Sequence, residues 1–366
     1  MEKLKIVVLC GGCSTERYIS FLTGAKVCGA LRRCGHRAVL ADLYLGFEEA
    51  GDCFDPESLF ASLPPIAEYR FDGKAPDLDS LRLLRREQHP ALFGKHVLEL
   101  CRAADIVFIA LHGQYGEDGR VQSVFDMYGV PYTGSGYLGA AMAMDKMITK
   151  TIVGAGGVRT PLFRRWDYEI MEEEREEDAR ERLIREVCRE TALPCVVKTP
   201  GGGSSVGVYI VRGEEELRDA VIKCLTYGKT FMTEQYIDGR EFTCGILCGQ
   251  ALPSVEIVPL TSFYDYSNKY RAGATEEICP GRVSAEIEQE IGRTALRVHE
   301  IMGLSTYSRS DFMIDAENRV WFIEVNTLPG MTDTSLVPRE AAAVGISFEE
   351  LCEKIVEDGL RIRGKK

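Results

Sequence analysis

The chain has 366 residues, 45% of them hydrophobic and 27% charged, and carries a net charge of −12. That length divides into two or three domains rather than one core, and the composition argues against disorder. The negative balance works against a nonspecific grip on nucleic acid, which needs clustered lysine and arginine, and no apolar run reaches the length of a membrane span.

A strand begins at once, over residues 6–10, with neither the long apolar segment nor the small-residue cleavage site of a secretory signal, so a cytoplasmic protein is expected. The 13 cysteines are odd in number and follow no repeating framework, which predicts free thiols. Cys10 and Cys13 spell CxxC, but no second pair stands at zinc-finger spacing. The strand runs into Gly11-Gly12-Cys13-Ser14-Thr15-Glu16, followed by a helix over residues 19–31. In an open parallel sheet such turns sit where ligands bind, although the dinucleotide fingerprint is absent. A second apolar strand, residues 106–111, ends in His112-Gly113-Gln114-Tyr115-Gly116-Glu117-Asp118-Gly119. Between them residues 64–95, with prolines and mixed charges, read as a surface segment away from the site.

The chain turns at Pro131-Tyr132-Thr133-Gly134-Ser135-Gly136, and the alanine- and methionine-rich residues 138–153 read as one helix containing Asp145 and Lys146, near a domain boundary. Residues 172–190 interleave glutamate and arginine at helical spacing, a solvated helix with internal ion pairs. A strand over 195–198 ends at Lys198 and enters Thr199-Pro200-Gly201-Gly202-Gly203-Ser204-Ser205-Val206-Gly207 before a strand over 208–211. Successive glycines let backbone amides approach phosphate oxygens, and the lysine adds a point charge. The loop lacks the closing GK[ST] of a P-loop, and a ligand-free glycine hairpin has the same pattern. Strands at 231–236, 241–248 (containing Cys244 and Cys248) and 254–259 complete a mixture that indicates an α/β or α+β architecture. Residues 261–280 show no clear period and read as a lid.

Two runs near the C-terminus, 308–315 and 319–326, alternate charged and hydrophobic residues. Alternation puts Phe312, Ile314, Trp321, Ile323 and Val325 on a core face and Arg309, Asp311, Glu324 and Asn326 on the other. The connection Asp315-Ala316-Glu317-Asn318 reads as a hairpin, and pairing odd positions with even ones keeps the four polar groups together. Two carboxylates and an amide oxygen are ligands that suit magnesium holding phosphates, and the arginine can stabilise developing negative charge. An ordinary solvated hairpin face shows the same alternation.

Taken in order, these segments resemble the D-alanine–D-alanine ligases of the ATP-grasp superfamily over nearly the whole chain. The resemblance rests on Gly11 to Glu16 with Ser20, His112-Gly113 with Gly116-Glu117-Asp118-Gly119, Tyr132-Thr133-Gly134-Ser135-Gly136, and Met144-Asp145-Lys146. It continues through Gly203-Ser204-Ser205-Val206-Gly207, Phe263-Tyr264-Asp265-Tyr266 with Lys269-Tyr270, Arg309 and Asp311, and Glu324-Val325-Asn326-Thr327 with Pro329-Gly330-Met331-Thr332.

The resemblance implies three domains, at residues 1–134, 135–238 and 239–366, with an N-terminal open parallel sheet and central and C-terminal sheets clasping ATP. It implies ligation of two D-alanines for peptidoglycan precursors through an acyl phosphate, giving D-alanyl-D-alanine, ADP and phosphate. Asp311, Glu324 and Asn326 would then ligate two magnesium ions, or manganese in their place. Arg309 and the Gly330 amide would serve the first substrate's carboxylate and the tetrahedral oxyanion. Glu16 would hold the first ammonium group, linked to Ser204 and Tyr270. His112 and Glu117 map to the first pocket, where a purely structural histidine is the alternative, and Ser335 and Leu336 map to the second. Lys146, Lys198, Ser205 and Lys269 would meet ATP phosphates; Glu234, Gln235 and Glu241 would meet adenosine. Gln235 stands where many relatives carry lysine, and Pro200-Gly201-Gly202-Gly203 where they usually carry charged residues, both of which bear on ATP affinity. Tyr270 favours an amine over a hydroxyl as second substrate. A D-alanine–D-serine or related ligase, and a nucleotide-binding regulator without turnover, are the alternatives. A homodimer through the N-terminal domain is expected by the same resemblance.

Overall fold

The structure, a computed structural model, describes residues 3–69, 76–85, 90–172, 174–201, 207–259 and 275–364. Among them three sheets organise the chain. The first is parallel: β1 (Lys5–Cys10) lies between β2 (Arg37–Asp42) and β3 (Ile106–Ile109). Ile6 to Cys10 and all of β3 are fully buried, as a parallel sheet covered on both faces requires. Helix Arg17–Arg33 supplies Val27, Cys28 and Leu31 to this core. The last helix, Phe348–Arg363, returns from the far end of the chain to add Leu351, Ile355 and Val356.

The second sheet is antiparallel, in the order β4 (Phe163–Asp167), β7 (Thr230–Gln235), β5 (Cys195–Lys198), β6 (Val208–Val211). Helices Glu176–Glu190 and Glu214–Leu225 cover it through Leu183, Ile184, Val187, Leu217 and Val221. The first of these is the expected charged helix, with Arg175 paired to Asp178 and Arg182 to Glu174. The third sheet runs β11 (Thr275–Ile278), β10 (Val255–Pro259), β8 (Gly239–Leu247), β12 (Tyr307–Asp315), β13 (Val320–Asn326), with β9 (Gln250–Ala251) on β8. Helix Ala285–Ile301 packs on it through Ile291, Ala295 and Val298. All 13 cysteines are free. Among the described residues no helix is long and apolar enough to cross a membrane.

Several expectations need correction. Residues 138–153 form two helices, Tyr137–Met144 and Lys146–Ala155. Asp145 is extended between them, and its Oδ1 accepts from the amides of Met147 at 2.9 Å and Ile148 at 3.0 Å. That N-cap starts a new helix with Lys146 in its first position. Both helices contribute to the third sheet's core, through Ala143 and Val153. Residues 64–95 are not merely surface: Arg85 is buried, donating to the carbonyls of Tyr44 at 2.8 Å and Leu92 at 3.0 Å, and Tyr69 stacks on Phe21 at 4.5 Å. Cys248 lies just past β8 rather than in it, and residues 275–278 of the expected lid are a strand. Residues 261–274 lie outside the described ones.

The hairpin departs from plain alternation in a way that matters. Arg309 pairs with Asn326 and Asp311 with Glu324, odd against even as predicted, but the register shifts between Asp311 and Phe312, so that Phe312 pairs with Phe322 and Ile314 with Val320. A bulge inserts one residue and changes which face the rest of the strand presents. Val320, Phe322 and Val325 therefore enter the core with Phe312 and Ile314, whereas Trp321 and Ile323, expected there, are only half-buried. Trp321 instead donates from Nε1 to Asp315 at 2.8 Å and lies under Arg159 and Arg319. The bulge reconciles two demands: a polar face near Asn326 and a packed core beneath Phe322.

Candidate active site

The polar face of the hairpin holds Arg309, Asp311, Glu324 and Asn326 together. Arg309 donates from Nε and Nη2 to the two oxygens of Asp311 at 2.9 and 3.0 Å, and Thr243 on β8 donates to Asp311 Oδ1 at 2.7 Å. A fork-on-fork pair of this kind fixes both side chains. Lys146, projected by the capped helix, reaches Glu324 Oε2 at 3.1 Å. Asn326 Oδ1 accepts from the Leu328 amide at 2.9 Å.

A buried triad contacts the same hairpin strand, β13, through the Phe322 carbonyl. Lys198 pairs with Met232 across β5 and β7, and Val196 with Glu234, so Lys198 and Glu234 are diagonal neighbours on one face, within reach of long side chains. Glu234 Oε2 meets Lys198 Nζ at 2.5 Å and its Oε1 meets Lys150 Nζ at 2.6 Å. Burial opposes the charge on Glu234, but Lys198 and Lys150 outweigh it and hold the carboxyl below its ordinary range. Gln235, next in sequence, is exposed and its Oε1 accepts from the Leu162 amide at 3.3 Å. Glu241 lies on β8, paired with Ile257 and Met313.

The first sheet closes onto the same region. Ser20 Oγ accepts from the Gly11 amide at 2.8 Å and donates to the Ala110 carbonyl at 2.7 Å, fastening the Gly11 loop to the end of β3. Ser14 Oγ donates to the His112 carbonyl at 2.8 Å, and Glu117 Oε2 accepts from the Gly113 amide at 2.6 Å. Gly113 has φ +69°, where a side chain is strained, and a Cβ there would stand 2.7 Å from Glu16 Oε2 and displace the end of that carboxylate. His112 is buried; its Nδ1 faces the Leu328 carbonyl at 3.1 Å and must donate, which leaves Nε2 to accept from Thr23 Oγ1 at 2.9 Å. Burial lowers the His112 pKa against the pull of Glu16, in keeping with a neutral ring. Both ring nitrogens are thus committed to protein partners, and Leu328 links His112 to Asn326.

Gly330 approaches Ser335 so closely that a Cβ would lie 2.7 Å from Ser335 Oγ, which also accepts from the Thr332 amide at 2.9 Å. Leu336 opens helix Leu336–Ala343 and packs with Val255 and Ile257. Ser204, Ser205, Lys269 and Tyr270, like Gly202 and Gly203, lie outside the described residues.

Sequence reasoning missed Lys150, Thr243 and Glu340. Glu340 is fully buried, one helical turn beyond Leu336. Its carboxylate fills the space a side chain on Gly245 would take, and Gly245 is the cross-strand partner of Arg309. Neither oxygen meets a donor at full hydrogen-bond geometry among the described residues, although the Gly245 amide faces it. Burial pushes Glu340 from the ordinary 4.5 up to about 8; Arg309 opposes this, while Asp311 and Glu288 add to it. A folded-state pKa raised in this way stabilises the fold below pH 4.5, and that contribution is lost as pH rises through about 8. Glu340→Gln, which keeps the shape and removes the charge, is expected to raise stability at pH 9 by about 2–4 kcal/mol and to change little at pH 5. Urea unfolding at the two pH values measures this; equal effects at both would refute it.

Comparison with known proteins finds relatives along nearly the whole chain. The family described as D-ala D-ala ligase N-terminus matches residues 5–135, and that described as D-ala D-ala ligase C-terminus matches residues 163–357. A D-alanine–D-alanine ligase of Pediococcus pentosaceus is 38% identical over 96% of this chain and 97% of its own length. One from Lacticaseibacillus casei is 36% identical over 98% and 96%. The crystal structure of the Bacillus anthracis D-alanine–D-alanine ligase complexed with ATP superposes with a TM-score of 0.71 at 28% identity, covering 98% of both chains. The chain belongs to the D-alanine–D-alanine ligase family and has its ATP-grasp fold.

Proposed function

We propose that this ATP-dependent ligase joins two D-alanines into D-alanyl-D-alanine, as a step in making peptidoglycan precursors. The observation that carries the reading is the convergence of Arg309, Asp311, Glu324, Asn326 and Lys146 on one sheet face, beside a buried Lys198–Glu234 pair that Lys150 joins to β13. A carboxylate oxygen of the first D-alanine attacks the γ-phosphorus of ATP, and the bond to the β-phosphate oxygen breaks, releasing ADP. The amine of the second D-alanine then attacks the acyl carbon, loses a proton, and expels phosphate.

In this scheme Glu16 holds the first ammonium group, with His112 and Glu117 shaping that pocket, and Ser335 and Leu336 line the second. Arg309 and the Gly330 amide receive the charge that develops on the substrate oxygens. Lys146 and Lys198 hold phosphates, while Glu234, Gln235 and Glu241 hold adenosine. Ser204, Ser205, Lys269 and Tyr270 keep the roles that the family resemblance gives them. The hard-oxygen set of Asp311, Glu324 and Asn326 fits magnesium, which neutralises phosphate charge when bound. We further propose the units 1–134, 135–238 and 239–366, a cytoplasmic location and a homodimer through the N-terminal unit, on the same resemblance.

The test is to incubate the purified chain with magnesium, ATP and D-alanine, alone or with D-serine or D-lactate, and to follow phosphate release and product mass. D-alanyl-D-alanine as the dominant product is expected. A preferred mixed product would reassign the second pocket, and phosphate release without ligation would sink the proposal.

A further inference from the structure

Lys150 has no place in the scheme above, yet it is among the most deeply buried side chains of the molecule, and its side chain is 0% exposed. An ammonium group is costly to bury unless it is fully partnered. Lys150 has three sets of partners. It meets Glu234 at 2.6 Å, donates to Thr160 Oγ1 at 2.9 Å, and faces the Phe322 carbonyl at 3.5 Å; Thr160 Oγ1 in turn donates to that carbonyl at 3.0 Å. Glu234 belongs to β7 of the second sheet and Phe322 to β13 of the third, two residues before Glu324. One ammonium group therefore ties the carboxylate assigned to adenosine to the strand that carries the candidate metal ligands.

We infer that Lys150 is a positioning residue for the nucleotide: it holds Glu234 in a fixed orientation and sets its separation from β13. The inference rests on the reading of Glu234 as an adenosine contact. A carboxylate accepts hydrogen bonds and cannot donate them, so an oriented Glu234 welcomes the 6-amino group of adenine and disfavours the 6-oxo group of guanine. Oε1 lies in ion-pair contact with Lys150, short of full hydrogen-bond geometry, and Oε2 with Lys198, so the two charges draw the carboxylate in both directions and oppose its swing toward either lysine alone. Without Lys150, Oε1 loses its partner and Glu234 turns to Lys198, weakening both the purine contact and the lysine's hold on phosphate.

The experiment uses the full chain and two variants that keep the local shape, Lys150→Met and Thr160→Val, with Glu234→Gln as a control. Equilibrium binding of ATP and of GTP is measured by calorimetry beside kcat and KM with D-alanine and magnesium, and thermal melting reports whether each variant folds. For Lys150→Met, ATP binding is expected to weaken at least about tenfold and the ATP-over-GTP preference to fall by a similar factor, the scale of a lost charged contact. The fall in kcat is expected to be far smaller, and Thr160→Val to move affinity and preference in the same direction by less. A merely structural role would lower melting temperature without changing base preference. Should Glu234→Gln abolish the preference while Lys150→Met and Thr160→Val retain it, the role of Lys150 is overturned. Should Glu234→Gln itself leave the preference intact, the reading of Glu234 falls, and the inference with it.

Discussion

Replacing Arg309 with alanine is expected to lower kcat by about 10²–10³-fold, the scale of losing one preorganised donor aimed at developing charge. The side chain is nearly inaccessible and locked by two bonds to Asp311, so it spends little reorganisation when charge appears beside it. Arg309→Lys keeps the charge but not the fork, because an ammonium group cannot satisfy both oxygens of Asp311 in that geometry. It is expected to recover only a small part of the loss. Steady-state phosphate release and dipeptide yield measure both variants, with melting curves as the control for folding. A folded Arg309→Ala enzyme with kcat within about threefold of wild type would remove Arg309 from the chemistry, since an oxyanion donor costs far more.

How much of this was legible beforehand depends on how strong a hydrophobic signal each strand carries. The strands that sequence pattern missed, β2, β4, β9 and β11, lie at the rims of their sheets, but so do β3, β6 and β13, which it found. Phe163–Asp167 carries two exposed arginines and Thr275–Ile278 two glutamates. Charge on an edge strand protects it from pairing with other chains and erases the hydrophobic signal, which accounts for β4 and β11 but not for β2, where Ala38, Val39 and Ala41 are buried. β12 and β13 were found because both faces of their hairpin have work to do, but nothing in the alternation announced the bulge that moved Phe322 inward and Trp321 outward. Asp145 was visible in the sequence, yet its capping role was hidden inside an alanine- and methionine-rich run with high helix propensity.

The site follows the same logic. The residues proposed to touch reactants stand in short ordered motifs, so Arg309, Asp311, Glu324 and Asn326 could be placed on one face before any coordinates, and the family resemblance added Lys146. Residues that act through others carry no motif. Lys150 is one more lysine on a helix, and Thr243 one more strand threonine; their meaning comes from partners 84 and 68 residues away, Glu234 and Asp311. Glu340 is harder still, because helical pattern places a glutamate on the solvent side unless the sheet beneath offers a gap, here left by Gly245.

Asp311→Asn is expected to raise the magnesium concentration for half-maximal activity at least about tenfold and to lower kcat as well, because the change removes one of two carboxylate charges from the proposed hard-cation site. The substitution keeps an oxygen at the same place and can still accept from Thr243, so the fold should tolerate it. Asp311 has two duties in the scheme proposed here, ligand and counter-ion to Arg309, and a magnesium titration separates them. A loss of kcat with an unchanged magnesium dependence would mean that Asp311 serves only to hold Arg309. Glu324→Gln provides the complement: it contacts Lys146 at 3.1 Å and reaches Arg309 through charge, outside the two-bond fork that Asp311 makes, so it disturbs the proposed metal set while leaving that fork in place. If both variants shift the magnesium midpoint alike, the common cause is the metal site. If only Asp311→Asn loses turnover and neither shifts the midpoint, the two acids on this face are electrostatic supports for Arg309 and Lys146, and magnesium must be held elsewhere.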